Sequence, residues 1–261
     1  NLKDINLEGA KLKGVNLSEA NLTGLSLSGL DLTDVILSGA DLSGKDLSGT
    51  TLVRTNLSGA DLSWVDLRGI NLRGLEMIGT NLKGVELRGL DFTDTNLSGV
   101  DLSGKDLSGT TLVRTNLSGV NLSGVDLKGV DLRGLDLTSA KLVGADLSGK
   151  DLSRTLLIRA NLTGANLKDV NLKGANLSGA NLSGAKLFNA NLSYAKLGRA
   201  KLDEANLSGA NLSEANLSDT KLIGVNLSNV NLSGVNLSGK ILSKVDLTGA
   251  ILSGVNLSAA D

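Results

Sequence analysis

A leucine stands at the second place of every five residues along this chain, and only Met77 and Phe92 replace it. Cutting the 261 residues into blocks of five from Asn1 gives 52 blocks without a gap, with Asp261 left over. The fifth residue of a block is mostly Ala, Val or Thr, and the third is mostly Ser. The first is Asn or Asp in 37 blocks, and the fourth is Gly in 32. The apolar positions therefore follow a period of five.

A period of five fits neither regular element. On an α-helix five residues advance about 500°, so the leucines would spread over every face. On a flat strand five is an odd number, so successive leucines would point to opposite faces. The chain must therefore turn within each block, so that all leucines face one axis. Gly at the fourth position fits this, because a type II turn needs a positive φ at its third residue.

The fifth residue of one block and the leucine of the next lie two residues apart, as Ala10 and Leu12 do. In extended backbone, residues two apart face the same side. We therefore expect the second and fifth positions to face inward and the first, third and fourth to face outward. The fifth residue is Ala in every block from Ala175 to Ala215, which predicts a more uniform coil there.

With 52 matching blocks, the sequence resembles the pentapeptide-repeat proteins over its full length. The resemblance implies an all-β fold, a right-handed quadrilateral β-helix with one block per side and twenty residues per coil. On that basis, 261 residues would fill about 13 coils. We expect a single solenoid domain spanning residues 1–261, without recognisable caps.

A longer duplication is superimposed on the five-residue period. Residues 41–75 match residues 101–135 at 29 of 35 positions, with an offset of 60 residues. Sixty residues are three of the expected coils, so equivalent residues would fall on the same side. A weaker third copy begins at Asp146, offset by 45 residues from the second, which argues against a ligand site repeated on one face.

Four lysines break the pattern, because they occupy the inward fifth position: Lys45, Lys105, Lys150 and Lys240. Burying a charge is costly unless the charge is paired. One interpretation is a structural ion pair, a bound anion or a crosslink to a neighbouring Asn or Asp. The favoured interpretation is that the stem packs inside while the amine reaches out, since unpaired buried charges are rare.

A column of carboxylates is a second candidate feature. With a coil of twenty residues, six acidic side chains would stack about 4.8 Å apart on one side. Such a column could bind divalent cations through oxygen ligands. Neighbouring basic residues favour mutual neutralisation on a solvated face instead. The acidic residues are Asp46, Asp66, Glu86, Asp106, Asp126 and Asp146, and the basic ones are Arg68, Arg88, Lys128, Lys168, Arg73, Arg133 and Lys173.

Composition narrows the function classes. The net charge is −1, from 26 basic and 27 acidic residues, which argues against a nucleic-acid binder. The basic residues also lack aromatic stacking partners. The outward apolar residues Trp64, Phe188, Tyr194 and Ile223 are scattered, which is typical of single surface residues rather than a binding patch. No apolar run is long enough to span a membrane. The absence of a targeting signal leaves both a cytoplasmic and an extracellular location open.

Catalysis finds little support, because the chain has no His or Cys and its Ser residues lack an activating group. We expect a non-enzyme without a cofactor. The predicted function is a structural or scaffolding rod that binds itself or another protein through its uncapped ends, building fibres. The resemblance permits an alternative, a DNA-mimicking protein that binds DNA gyrase or topoisomerase, although mimicry calls for a more negative surface. The carboxylates leave a third, a cation-dependent surface or adhesion rod.

Overall fold

Each block of five residues turns at its third and fourth residues. The computed structural model describes residues 5–7 and 9–261. The amide of the fifth residue donates to the carbonyl of the second, for example Ala10 N to Leu7 O at 2.9 Å and Ala160 N to Leu157 O at 3.0 Å. The fourth residue of every described block has φ between +54° and +77°, whether it is glycine or not. The predicted turn, with its positive φ at the fourth position, is confirmed.

Successive turns wind the chain into coils of twenty residues. Parallel β-bridges join first-position residues twenty apart, such as Asn16 with Ile36 and Asn161 with Asn181. Hydrogen bonds run both ways between coils, with Leu162 N donating to Asn181 O at 2.7 Å and Asn181 N to Ala160 O at 2.9 Å. The strands are these single-residue bridges, and no helix is present among the described residues. The described part accordingly contains no helix able to cross a bilayer. The architecture is all-β and β-helix-like.

The chain divides into two compact units. Unit 1 comprises Asn1–Asn121 and Val125–Asp131, and unit 2 comprises Leu122–Gly124 and Leu132–Asp261. Both units are built from the same turns and the same twenty-residue bridges.

The core of each unit is made of second- and fifth-position side chains, as predicted. In unit 1, Met77 and Phe92 take the place of leucine and are buried in the same way. In unit 2 the fifth-position alanines from Ala175 to Ala215 are all buried. The expectation that third positions face outward is wrong at Ser63, Thr93 and Ser193, which are buried. These small side chains lie along the turn, where Thr93 Oγ1 donates to Asp91 Oδ1 at 2.5 Å.

Threonines at the inward fifth position bond to backbone carbonyls. Thr55 Oγ1 donates to Leu32 O at 2.8 Å, in the preceding coil, and Thr80, Thr95, Thr115 and Thr220 do the same at 2.6–2.9 Å. Thr50, Thr110 and Thr155, each one block after a fifth-position lysine, donate instead to their own turn. No buried side-chain nitrogen or oxygen of the described residues is left without a partner. The hydroxyls therefore serve the backbone of the coil.

Candidate interaction surface

First-position Asn and Asp side chains cap their own turns. Oδ1 of Asp46 accepts the N–H of Ser48 at 2.8 Å. Oδ1 of Asn181 accepts the N–H of Ser183 at 3.1 Å and its hydroxyl at 2.7 Å. An acceptor two residues before its donor is the geometry of an Asx turn, which Asn and Asp favour. The recurring Asn/Asp-Leu-Ser sequence is the pattern that indicates turn capping. From the sequence we placed these residues on the outside and did not predict the caps.

Five of the six predicted carboxylates lie exposed at one position of successive coils in unit 1. We call them the carboxylate column: Asp46, Asp66, Glu86, Asp106 and Asp126. Asp106 and Asp126 are joined by a parallel bridge. Asp146 belongs to unit 2, where its Oδ1 accepts Ser148 N and Asn166 Nδ2, both at 3.0 Å. Nowhere in residues 5–7 and 9–261 do three or more acidic side chains cluster closely enough to hold a metal ion.

Hydrogen bonds to the carboxylates favour their ionised form. The N–H and hydroxyl of Ser48 lower the pKa of Asp46, and the hydroxyl and N–H of Ser108 lower that of Asp106. Arg68 lies beside Asp66, with Nη2 2.6 Å from Oδ2, and holds the pKa of that carboxyl at about 2. Asp46, Asp66 and Asp106 therefore stay charged into acidic solution.

The backbone bonds between coils are uneven in unit 1. Some first-position amides donate to the preceding coil, as Asn56 N does to Val35 O and Asn116 N to Thr95 O, both at 3.0 Å. The amides of Asp46, Asp66, Glu86 and Asp106 do not make this bond within the described part of the chain, and neither does that of the uncharged Asn71. At Asp46 and Asp106 the carbonyl concerned accepts the amine of Lys45 or Lys105 instead. The missing bonds are therefore not peculiar to stacked carboxylates.

The four fifth-position lysines are half-buried, and three have their amines bonded to backbone carbonyls of the preceding coil. Lys45 Nζ donates to Leu22 O at 2.8 Å and Leu25 O at 3.1 Å. Lys105 Nζ donates to Val85 O at 3.0 Å, and Lys240 Nζ to Thr220 O at 2.9 Å. Burial lowers the pKa of Lys240. The amines of Lys45, Lys105 and Lys240 thus bond to fifth-position carbonyl oxygens, which accept first-position backbone amides elsewhere in the coil. Lys150 is half-buried like the other three.

Several side chains at the fourth position lie over the glycine at the fourth position of the next coil. Trp64 covers Gly84 so closely that a Cβ on that glycine would overlap the indole. Cγ of Arg159 would lie 3.5 Å from a Cβ on Gly179. Glycine at the covered position therefore gives room as well as a positive φ.

Three fourth-position pairs place opposite charges twenty residues apart instead of a glycine. Arg54 bonds Asp34 through two nitrogens, at 2.5 and 2.7 Å. Arg114 bonds Asp94 in the same way, at 2.5 and 2.6 Å, sixty residues further on. Arg199 Nε lies 3.4 Å from Asp219 Oδ2. The duplication is thus reproduced at the level of single ion pairs.

One cluster joins residues that the sequence placed in separate groups. Nζ of Lys173 lies 6.0 Å from the ring centroid of Tyr194, which is 60% exposed. Arg154 lies in the adjoining coil, and its Cγ would be 4.0 Å from a Cβ on Gly174. We call Arg154, Lys173 and Tyr194 the basic–aromatic patch. The offset of 21 residues between Lys173 and Tyr194 could have revealed the contact once the coil length was known. Trp64, Phe188 and Ile223 are exposed as well.

A chain of uninterrupted five-residue turns bridged every twenty residues defines a class of repeat solenoid. The family model for pentapeptide repeats matches the chain in eight copies, and the chain belongs to the pentapeptide-repeat family. The copies cover residues 1–39, 36–74, 66–104, 96–134, 136–174, 165–203, 200–239 and 241–261. No curated protein matches the chain significantly.

Solved structures similar to the chain are themselves pentapeptide-repeat proteins. HetL, involved in heterocyst differentiation regulation in the cyanobacterium Nostoc sp. strain PCC 7120, is 31% identical over 90% of each chain, with a TM-score of 0.35. Rfr23 from the cyanobacterium Cyanothece 51142 is 39% identical over 37% of this chain and 63% of its own, with a TM-score of 0.29. QnrB1, a plasmid-mediated fluoroquinolone resistance protein, is 19% identical over 86% and 83%, with a TM-score of 0.36. Since these TM-scores are low, the family assignment rests on the repeats.

Proposed function

We propose that the protein is a non-enzymatic scaffolding repeat protein that works through protein–protein contacts. The main support is that the polar side chains form hydrogen bonds with the chain's own backbone. First-position carboxylates and amides cap turns, as at Asp46 and Asn181. Inward hydroxyls and amines bond to backbone carbonyls, as at Thr55 and Lys45. Groups engaged in this way support the backbone, and the chain has no His or Cys for catalysis.

We further propose that the scaffold associates with other copies of itself through exposed apolar side chains. Leu252 and Leu257 occupy the inward second position, yet they are 38% and 42% exposed. Exposed apolar side chains are removed from water when a second copy covers them. This exposure supports association between copies.

Sedimentation of the purified chain over a range of concentrations tests this association. Wild-type protein should associate, and the association should persist in high salt because apolar burial is not screened. The double substitution Leu252→Glu and Leu257→Glu should abolish the association that persists in high salt. The matched control is Val143→Glu with Ile223→Glu, which changes two equally exposed apolar side chains at third positions. A wild-type protein that stays monomeric in high salt at high concentration would overturn the proposal.

We also propose that the coils of each unit are right-handed and four-sided. Four turns separate bridged residues such as Asn161 and Asn181, which supports four sides. The count of 13 coils remains a prediction from the sequence.

A DNA-mimicking role is a second candidate, favoured by the charge of unit 1. Unit 1 has 12 basic and 17 acidic residues, a net charge of −5. A DNA gyrase supercoiling assay discriminates the two roles. Inhibition by the protein would support mimicry, and full supercoiling activity in its presence would exclude it.

The cation-dependent adhesion rod is the weaker alternative, because carboxylates such as Asp46 already accept hydrogen bonds from their own turn. Calcium titration without a rise in melting temperature would exclude it.

A further inference from the structure

The near-neutral chain is divided into units of opposite charge. Unit 1 has a net charge of −5. Unit 2 has 14 basic and 10 acidic residues, a net charge of +4. Two copies of the same chain therefore present complementary charges to each other, which a single net value of −1 conceals.

The basic–aromatic patch of unit 2 has cations without an acidic partner. Neither Arg154 nor Lys173 forms an ion pair within the residues that the structure describes. The nearby carboxylates of unit 2 are engaged elsewhere. Asp151 Oδ1 accepts Ser153 N at 2.9 Å, and Glu214 lies over Gly234, one coil beyond Tyr194. The patch is therefore an exposed surface ready for an anionic partner.

The carboxylate column of unit 1 has the complementary excess. It holds five carboxylates, with only Arg68, Arg88 and Lys128 at the neighbouring third positions of the same side. Arg68 already forms an ion pair with Asp66 of its own block. The remaining carboxylates stand exposed on successive coils and repel one another, so cations from outside would relieve the repulsion.

We propose that the basic–aromatic patch binds the carboxylate column of a second copy of this chain. Both surfaces are built on coils of the same repeat, so charges on neighbouring coils are separated by the same distance of about 4.8 Å in each. Charge complementarity of this kind gives register and specificity, and the resulting contact is weakened by salt. The contact goes beyond the apolar association, because it does not need Leu252 or Leu257.

Sedimentation velocity of the full chain at low and high salt tests the contact. The variant Leu252→Glu/Leu257→Glu, which lacks the exposed leucines, should still associate at about 30 mM salt and dissociate at about 500 mM, where the Debye length is shorter. Adding Arg154→Glu and Lys173→Glu should weaken the low-salt association at least tenfold. The matched control instead adds Arg159→Glu and Lys196→Glu, which change the charge of unit 2 by the same amount. Arg159 is placed like Arg154, because it lies over Gly179 as Arg154 lies over Gly174. The control should retain association.

Mixing complementary variants tests that these two surfaces meet. A column variant carries Asp66→Asn, Glu86→Lys and Asp106→Asn, in which asparagine keeps the turn cap. The column and patch variants should each fail to associate alone, and their mixture should associate, since each supplies the surface the other lacks. The proposal would be overturned if the Leu252→Glu/Leu257→Glu variant were monomeric at low salt, or if the matched control weakened association as much as the patch variant. It would also be overturned if the mixture failed to associate although both variants melt like wild type. Binding of fluorescent oligo-dT or polyglutamate by a protein that stays monomeric would overturn it too.

Discussion

At the scale of the residue, the fourth position of the block is subject to two separate requirements. Its φ is positive in every described block. In some blocks it also lies beneath a fourth-position side chain of the preceding coil, although Gly74 is left open by Arg54. Gly84 faces both requirements, with φ +73° and Trp64 above it, whereas Gly89, with φ +72°, has open space where its Cβ would be.

Replacing Gly84→Ala should therefore destabilise unit 1 more than Gly89→Ala does. Both variants force a Cβ into the left-handed region, at a cost of about 1 kcal/mol. Only Gly84→Ala must also displace the indole. Trp64 is the single Trp of the chain, so its fluorescence reports the displacement. Equal melting temperatures and an unchanged emission spectrum in both variants would contradict the placement of Trp64.

Asp66 gives a pH prediction with a definite sign. Its pKa is lowered from 3.8 to about 2, chiefly by hydrogen bonds from Arg68. Because the folded pKa lies below the unfolded one, the stabilisation is present above about pH 4 and is lost as the pH falls towards 2. Arg68→Gln should raise the pKa of Asp66 towards 3.8, as followed by carboxyl NMR. Asp46, held by Ser48, should titrate unchanged in the same variant.

At the scale of the structural element, stacked carboxylates and stacked amides differ in the contacts that they make across coils. In unit 2 a first-position asparagine bonds both through its side chain and through its backbone. Asn171 Nδ2 donates to Asp151 Oδ1 at 3.0 Å, and Asn171 N to Lys150 O at 2.8 Å. Two stacked carboxylates have no donor to offer each other and repel instead. Asparagine caps the turn without repulsion, so it suits long stacks better than aspartate does.

Changing Asp46, Asp66, Asp106 and Asp126 together to Asn should stabilise unit 1. We expect a higher melting temperature, because the turn caps stay while the repulsion between stacked carboxylates goes. The reverse change in unit 2, Asn166→Asp with Asn206→Asp, should lower the melting temperature. An unchanged melting temperature in the quadruple variant would show that repulsion along the column does not affect stability.

At the scale of the whole chain, the five-residue period was enough to predict the turns, their positive φ and the inward-facing positions. It could not predict what depends on the twenty-residue register and on rotamers. The contact of Lys173 with Tyr194, the bonds from Lys45 to carbonyls and the cover of Gly84 by Trp64 all belong to that second group. Each contact joins residues twenty or more apart, so a pattern of five residues cannot predict it.

Stability in such a repeat protein should depend on whether coils cover a leucine on both sides. Leu177→Ala should cost about 2–5 kcal/mol, since it leaves a cavity in a buried column. In protein dilute enough to be monomeric, Leu252→Ala should cost clearly less, because that side chain is already 38% exposed. Urea unfolding of the two variants under those conditions measures the difference. Equal losses in the monomer would contradict the exposure of Leu252.

Electron microscopy of the purified protein at low salt tests whether this chain is a scaffold that associates with itself. We expect assemblies of several copies, reduced by Leu252→Glu/Leu257→Glu and reduced further by Arg154→Glu/Lys173→Glu. Discrete single particles at every concentration, in low and in high salt, would contradict it.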